Sequence, residues 1–277
     1  MLIWLVLIPL IAAALIGLCK APARPTALLS ASLTLALGIW ALVSFDGCSS
    51  CWSRFEGMDL QLTLAPALSK VMLLLTILVT FATVLGTNPP QGGEASWYNS
   101  ALLISAGATG AFLSDNIISF FAFHELALIP TFVMIGLYGR GDRRTTAWRA
   151  TLYLGLASMV LLAALLMIGT QAGFTFSGLK DFMASGRELA HAELIGALLI
   201  AGFGTLISLF PFHSWAAPAY ASAPAPVAMM HAGVLKKFGL YGLFMFQPLM
   251  ETGFLPCTNI LLVLLVCNVI WVGYVTV

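Results

Sequence analysis

The chain alternates between long apolar runs and short polar interruptions. Runs of about 20 residues, the length that crosses a hydrocarbon core, fall at 1–19, 26–45, 64–86, 98–114, 116–138, 149–170, 193–211, 226–247 and 257–277. They predict about nine transmembrane helices, the fourth and fifth separated only by Ser114, Asp115 and Asn116. In lipid a spanning segment must satisfy its own backbone hydrogen bonds, so the expected fold is all-α, a polytopic membrane helix bundle. The alternating apolar pattern of a membrane barrel is absent.

The seventh run breaks this regularity. After ELIGALLIAGFGTLISLFP comes FHSWAAPAYASAPAPVAMMH, residues 212–231, with Pro218, Pro224 and Pro226 following Pro211. That stretch is too apolar for an ordinary loop and too proline-rich for a regular helix. It predicts a broken seventh helix, tolerated at membrane depth only where protein or a wet cavity surrounds it.

Composition agrees with the pattern. Hydrophobic residues make up 60% of the 277 and charged residues 8%, against about 25% charged in a soluble domain. The mean hydropathy is +1.00, which leaves no room for a sizeable soluble domain. A net charge of +1 without a basic cluster gives no reason to expect nucleic acid as a partner. The N-terminal run has no basic residue ahead of it, as a cleaved signal would, and reads as a retained first helix. Cys19, Cys257 and Cys267 read as apolar filler. Cys48 and Cys51, in CSSC, are too few for a zinc site and are compatible with a local disulfide in an oxidising compartment.

Charge orients the bundle. Six basic residues fall in loops after odd-numbered spans (Lys20, Arg24, Arg140, Arg143, Arg144, Arg149), and four on the other side (Arg54, Lys70, Lys180, Arg187). The basic loop 139–149 is therefore expected in the cytoplasm and the N-terminus outside.

With the loops set aside, few ionisable residues remain in the spans. They are His124 with Glu125 in the fifth, His213 at the break, and His231, Lys236 and Lys237 in the eighth. A charge at the bilayer centre costs about 2.5–3.5 kcal/mol on insertion scales, so such residues face protein or water. Glu125 lies near the middle of its span, with Pro130 expected to bend the helix just beyond it. A carboxyl balanced between burial and a nearby cation can load and release a proton; a structural ion pair is the other reading. Lys237 has Gly233 one turn before it and Tyr241 one turn after. Lys236 points about 100° away on the wheel. His213, His231 and His124 could relay protons or be satisfied locally by hydrogen bonds.

Two blocks, FFAFHELALIPTFVMIGLYG and, about 90 residues later, FPFHSWAAPAYASAPAPVAMMHAGVLKKFGLYGLFMF, resemble the antiporter-like proton-translocating membrane subunits of respiratory complex I. The likeness is greatest to the chain called M in bacteria and chain 4 in mitochondria. Related subunits occur in multisubunit Na⁺/H⁺ antiporters and membrane-bound hydrogenases. The resemblance implies a membrane subunit of an NADH:quinone oxidoreductase that takes part in proton translocation. It also implies other membrane-arm subunits as partners and a bacterial inner membrane as the location. No cofactor is expected in this chain; flavin, iron–sulfur clusters and quinone belong to partner subunits. An antiporter or hydrogenase subunit, or a non-pumping structural subunit, is the alternative.

By the same resemblance Glu125 takes the place of an essential membrane glutamate and Lys237 that of the lysine in the eighth span. His213 and Trp215 match the histidine and tryptophan at the break. The pattern is not followed everywhere. A lysine expected before the break falls at Leu206, and an aspartate opening the fifth span falls at Asn116. A second aspartate falls at Pro218, and His124 replaces an aromatic residue. The implied organisation is N-terminal transmembrane helices over 1–97, an antiporter-like first-half bundle over 98–250, and the start of an incomplete second half over 251–277.

Overall fold

The computed structural model describes residues 1–44, 49–55, 58–89, 92–247, 249 and 255–276. Its helices run in the order α1 (Leu2–Gly17), α2 (Ala23–Ser44), α3 (Ala67–Gly86), α4 (Glu94–Leu113), α5 (Ile117–Tyr138), α6 (Arg143–Ala172), α7 (Phe176–Ala184), α8 (Ala192–Ile207), α9 (Ala216–Ser222) and α10 (Ala225–Met230). A π-helical turn (His231–Leu235), α11 (Lys237–Met245) and α12 (Leu255–Thr276) follow. Between α2 and α3 the strands β1 (Ser49–Phe55) and β2 (Met58–Thr63) pair antiparallel.

Helix α4 is the centre of the bundle, packed against α1, α2, α3 and α5; 15 of its 20 residues are buried, so it meets protein on every side. Its sequence is rich in Ala, Gly, Ser and Thr, because in lipid helices associate by close packing rather than by apolar transfer. A Cβ on Gly107 would lie 2.6 Å from the Phe123 carbonyl oxygen of α5, and one on Gly110 would strike the Phe123 ring. The same device joins α11 to α8, where a Cβ on Gly239 would stand 2.7 Å from the Phe203 carbonyl oxygen.

Four helices, α2, α3, α5 and α6, are each long and apolar enough to cross a membrane, and the chain is an integral membrane protein. Helices α1, α8 and residues 258–274 are shorter apolar helices. The expected count of nine rests on the sequence, and three expectations change in form. The seventh apolar run does not end at 211. It continues through the break into α9, whose Ser222 exchanges hydrogen bonds with Arg140 in the loop between α5 and α6. The eighth, expected as one helix over 226–247, is divided into α10, the π turn and α11. The sixth begins at Arg143 rather than 149, because Asp142 caps two polar turns by accepting from the Thr145 amide.

The fold is also not purely helical. Met58, Leu60, Leu62 and Leu64 alternate with polar residues at the two-residue period of a strand, and Leu62 and Leu64 are buried with Leu2, Leu5, Leu73 and Leu113. At the same end the amphipathic α7 buries Phe176, Leu179 and Phe182. Asp115 joins these pieces: its amide donates to the Gln61 carbonyl, and its carboxylate accepts from the Ser177 amide and hydroxyl. Cys48, one of the two CSSC cysteines compatible with a local disulfide, lies outside the described residues.

Candidate functional site

Helix α5 runs unbroken through Pro130 and is started by Asn116, whose side chain accepts from the Ile118 and Ser119 amides. An Asn at this position therefore has a job of its own as a helix cap. Two turns on, His124 and Glu125 meet: Nδ1 and Oε1 are 3.2 Å apart, with His124 1% and Glu125 29% exposed. Both atoms are buried and neither has a well-aligned hydrogen-bond partner. The buried Ser158 of α6 lies within interaction range of the carboxyl. On its other side the His124 imidazole stands edge-on to Phe238, ring centroids 5.0 Å apart. The pair is thus flanked by α6 through Ser158 and by α11 through Phe238, while Gly107 of α4 packs on α5 at the neighbouring Phe123 and Ala127.

The second polar group is assembled around the break. α8 ends at Ser208 in the left-handed region, φ 60°, a conformation uncommon for a residue with a side chain. The freed backbone is re-paired locally. The Leu209 amide donates to the Gly204 carbonyl, the Trp215 indole Nε1 to the Thr205 carbonyl at 3.1 Å, and the Phe210 amide to the Asn268 side chain of α12 at 3.2 Å. Trp215, fully buried, then packs against His231, centroids 5.4 Å apart. Tyr220 Oη lies 3.0 Å from His231 Nδ1. The Lys236 ammonium sits 4.9 Å from the centroid of the Tyr220 ring and 5.9 Å from that of Trp215, within the range of cation–π attraction. The π turn makes this possible: the Lys236 amide donates to the His231 carbonyl, five residues back, and that wider turn brings His231 and Lys236 to the same aromatic pair.

The remaining expected residues are placed separately. Lys237 is half-buried and makes no hydrogen bond or ion pair among the described residues. Gly233, expected beside it, faces Val79 of α3. No ion pair joins Glu125 to either lysine among the described residues; the polar neighbour of Glu125 is His124. His213 stacks on Phe210 at 5.6 Å and meets Trp271 of α12 at a tilt, ring centroids 5.8 Å apart, with its Nδ1 buried and unpartnered. Leu206 is 4% exposed and packs near Gly239 of α11, and Pro218 lies inside α9. Between the two polar groups and the α7 end of the molecule lies a layer of buried rings, with Phe112, Phe120, Phe203, Phe238 and Tyr241 in mutual contact. Tyr241 Oη, within it, bridges Ser69 Oγ and the Phe112 carbonyl.

Sequence reasoning missed Tyr220, Ser158 and Phe238. Tyr220 lies 11 residues before His231 with a helix break between them, so no periodicity pairs them. Ser158 and Phe238 are ordinary helix residues whose neighbours belong to other helices.

Comparison with known proteins agrees with the motifs. A family described as "NADH:quinone oxidoreductase/Mrp antiporter, TM" matches residues 114–276, the region that holds both polar groups. The chain is 33% identical over 215 residues to NAD(P)H-quinone oxidoreductase chain 4 2 of Microcystis aeruginosa, covering 74% of this chain and 37% of that protein. It is 30% identical over 227 residues to chain 4 1 of a Picosynechococcus species, covering 79% and 41%. The chain therefore spans about two fifths of the length of these relatives. Among solved structures it resembles a chain of respiratory complex I from Thermus thermophilus with bound NADH (TM-score 0.82, 26% identity, 95% of this chain and 56% of that one). It shares its fold with a chain of the Mrp complex from a Dietzia species (TM-score 0.76, 24% identity, 94% and 29%). By the family match over more than half its length, the chain belongs to the NADH:quinone oxidoreductase/Mrp antiporter transmembrane family.

Proposed function

We propose that this chain serves as a membrane subunit of a respiratory NAD(P)H:quinone oxidoreductase, taking part in proton translocation while electrons move through flavin, iron–sulfur clusters and quinone in partner subunits. The observation that carries the reading is the His124–Glu125 pair, a carboxyl and an imidazole in contact inside an apolar helix, with α6 and α11 beside them. A lone carboxylate there would be costly; one touching an imidazole can share a proton with it at little cost. The further candidates are the His231–Tyr220–Lys236 group, then Lys237 and His213. The reading includes a bacterial inner membrane as the location, the loop 139–149 on the cytoplasmic side, and other membrane-arm subunits beside this chain.

The test is proton uptake by vesicles holding the assembled complex, with quinone reduction recorded in parallel. Glu125→Gln keeps shape and removes titration. The complex should assemble, and protons moved per electron should fall roughly tenfold or more, as for the loss of a general acid–base group. Lys237→Met should lower the same ratio. An unchanged ratio in both variants would sink the reading. Leu206 favours a second one, a structural subunit that moves no protons, because it places a buried alkyl group where the resemblance expects a lysine.

A further inference from the structure

We propose that the groove between the end of α5 and the start of α6 is a binding site for an anionic phospholipid of the leaflet that meets the loop 139–149. The groove encloses about 380 Å³ and is lined by Phe132, Val133, Gly136, Leu137, Ala147, Trp148 and Arg144. Its depth comes from the missing bulk at Gly136 and Ala147, where a Cβ on the glycine would stand 3.6 Å from that of the alanine. Phe132 and Trp148 form one wall, ring centroids 5.3 Å apart in an edge-to-face arrangement. Leu137 and Trp148 are 51% and 59% exposed, so apolar surface faces outward at the rim.

The position is that of a headgroup region. Helix α6 has 30 residues, about 45 Å at 1.5 Å per residue, against a hydrocarbon core of about 30 Å. Its first turns, with Arg143, Arg144 and Arg149, therefore stand in the polar layer. Trp97 and Tyr138 pack edge-on at this end of α4 and α5, and aromatic residues of this kind mark the membrane boundary.

Charge selects the ligand. The segment from Arg140 to Arg149 holds four arginines and one acid, Asp142, whose carboxylate is occupied in capping α6. Arg143 is also occupied, its guanidinium donating to the Leu137 carbonyl. Arg144 is exposed at the groove rim and makes no hydrogen bond or ion pair among the described residues. A guanidinium free at the headgroup level above an apolar slot fits a phosphate diester with an acyl chain laid along Phe132, Val133 and Gly136.

The experiment uses the full chain, affinity-purified from its own membranes with whatever subunits accompany it, and reconstituted in phosphatidylcholine vesicles with and without phosphatidylglycerol. Lipid retained after re-extraction is measured by mass spectrometry. Arg144→Gln should lower retained phosphatidylglycerol severalfold and leave phosphatidylcholine unchanged. Arg187→Gln, whose guanidinium lies over Phe182 at the opposite end, should change neither. Gly136→Leu fills the slot without touching the charge and should lower retention as well, which covers the case where the arginine variant fails to accumulate. A photoreactive benzoylphenylalanine in place of Trp148 should form an adduct with lipid. Equal retention in Arg144→Gln and Gly136→Leu, or an adduct with a protein subunit or with nothing, overturns the proposal.

Discussion

The His124–Glu125 pair stands on one unbroken helix, between residues adjacent in the chain, whereas the His231–Tyr220–Lys236 group draws on α9, a π turn and the residue after it, with Trp215 from the break itself. The first is held at fixed phase by the i→i+4 ladder of α5, which the close approach of Gly107 clamps at the neighbouring Phe123 and Ala127. The second depends on backbone that left the ladder and found other partners, as where the Phe210 amide donates to the Asn268 side chain of α12, and on side-chain bonds such as that of the Ser214 hydroxyl to Tyr153 Oη of α6. Breaks and π turns are where helices change their pairing. A continuous helix fixes the phase of its side chains; the broken region sets the places of its groups through contacts made between segments.

Five substitutions break or sharpen this contrast. The largest effect is expected from Leu206→Lys, which puts a charge into a dry contact between α8 and α11. The cost is roughly 2.5–3.5 kcal/mol on insertion scales, and the complex should fail to accumulate on native gels of membranes. Normal accumulation would show that water reaches the space between the two groups. Gly107→Leu comes next. Its side chain meets the α5 backbone at Phe123, so the helices must separate at a cost of about 1–3 kcal/mol, read as a lower melting temperature in detergent. An unchanged melting temperature would mean that α4 does not clamp α5.

The break should respond more gently. Lys236→Met removes the cation–π contacts, worth about 0.5–2 kcal/mol, and Tyr220→Phe removes one hydrogen bond, worth about 1 kcal/mol, while keeping the ring under the ammonium. Both should lower proton uptake per electron severalfold, Lys236→Met by more; if Tyr220→Phe alone matters, the hydroxyl rather than the lysine is the acting group. His213→Gln is expected to have the smallest effect, because His213 lies against Phe210 and Trp271 and makes no ring contact with either group among the described residues. A loss as large as that of Glu125→Gln would move the proton route to the α12 side.

The placement of these residues was legible to different depths. Glu125, His124, His231 and Lys236 stood out because a charge inside an apolar run is rare for a physical reason, its desolvation. Lys237 stood out for the same reason, yet its expected companion Gly233 faces α3, because the π turn shifts the phase that a regular wheel assumes. The β hairpin was hidden among polar residues although Met58, Leu60, Leu62 and Leu64 carry the strand period. The extra turns of α6 were hidden because Arg143 to Arg149 look like loop when only hydropathy is counted.

What the sequence determined by itself is the class of fold and the short roster of groups that can carry charge in the membrane. Hydropathy acts locally, so run length and the proline-rich break after α8 follow from neighbouring residues. What only the tertiary structure decided is which of those groups meet. Tyr220 reaches His231 across a helix break, Lys236 reaches Tyr220 and Trp215 through a π turn, and Glu125 touches His124 rather than a lysine. Those contacts depend on how closely glycines let helices approach and on where freed backbone groups found partners. Such distances are set between helices and leave no period in the chain.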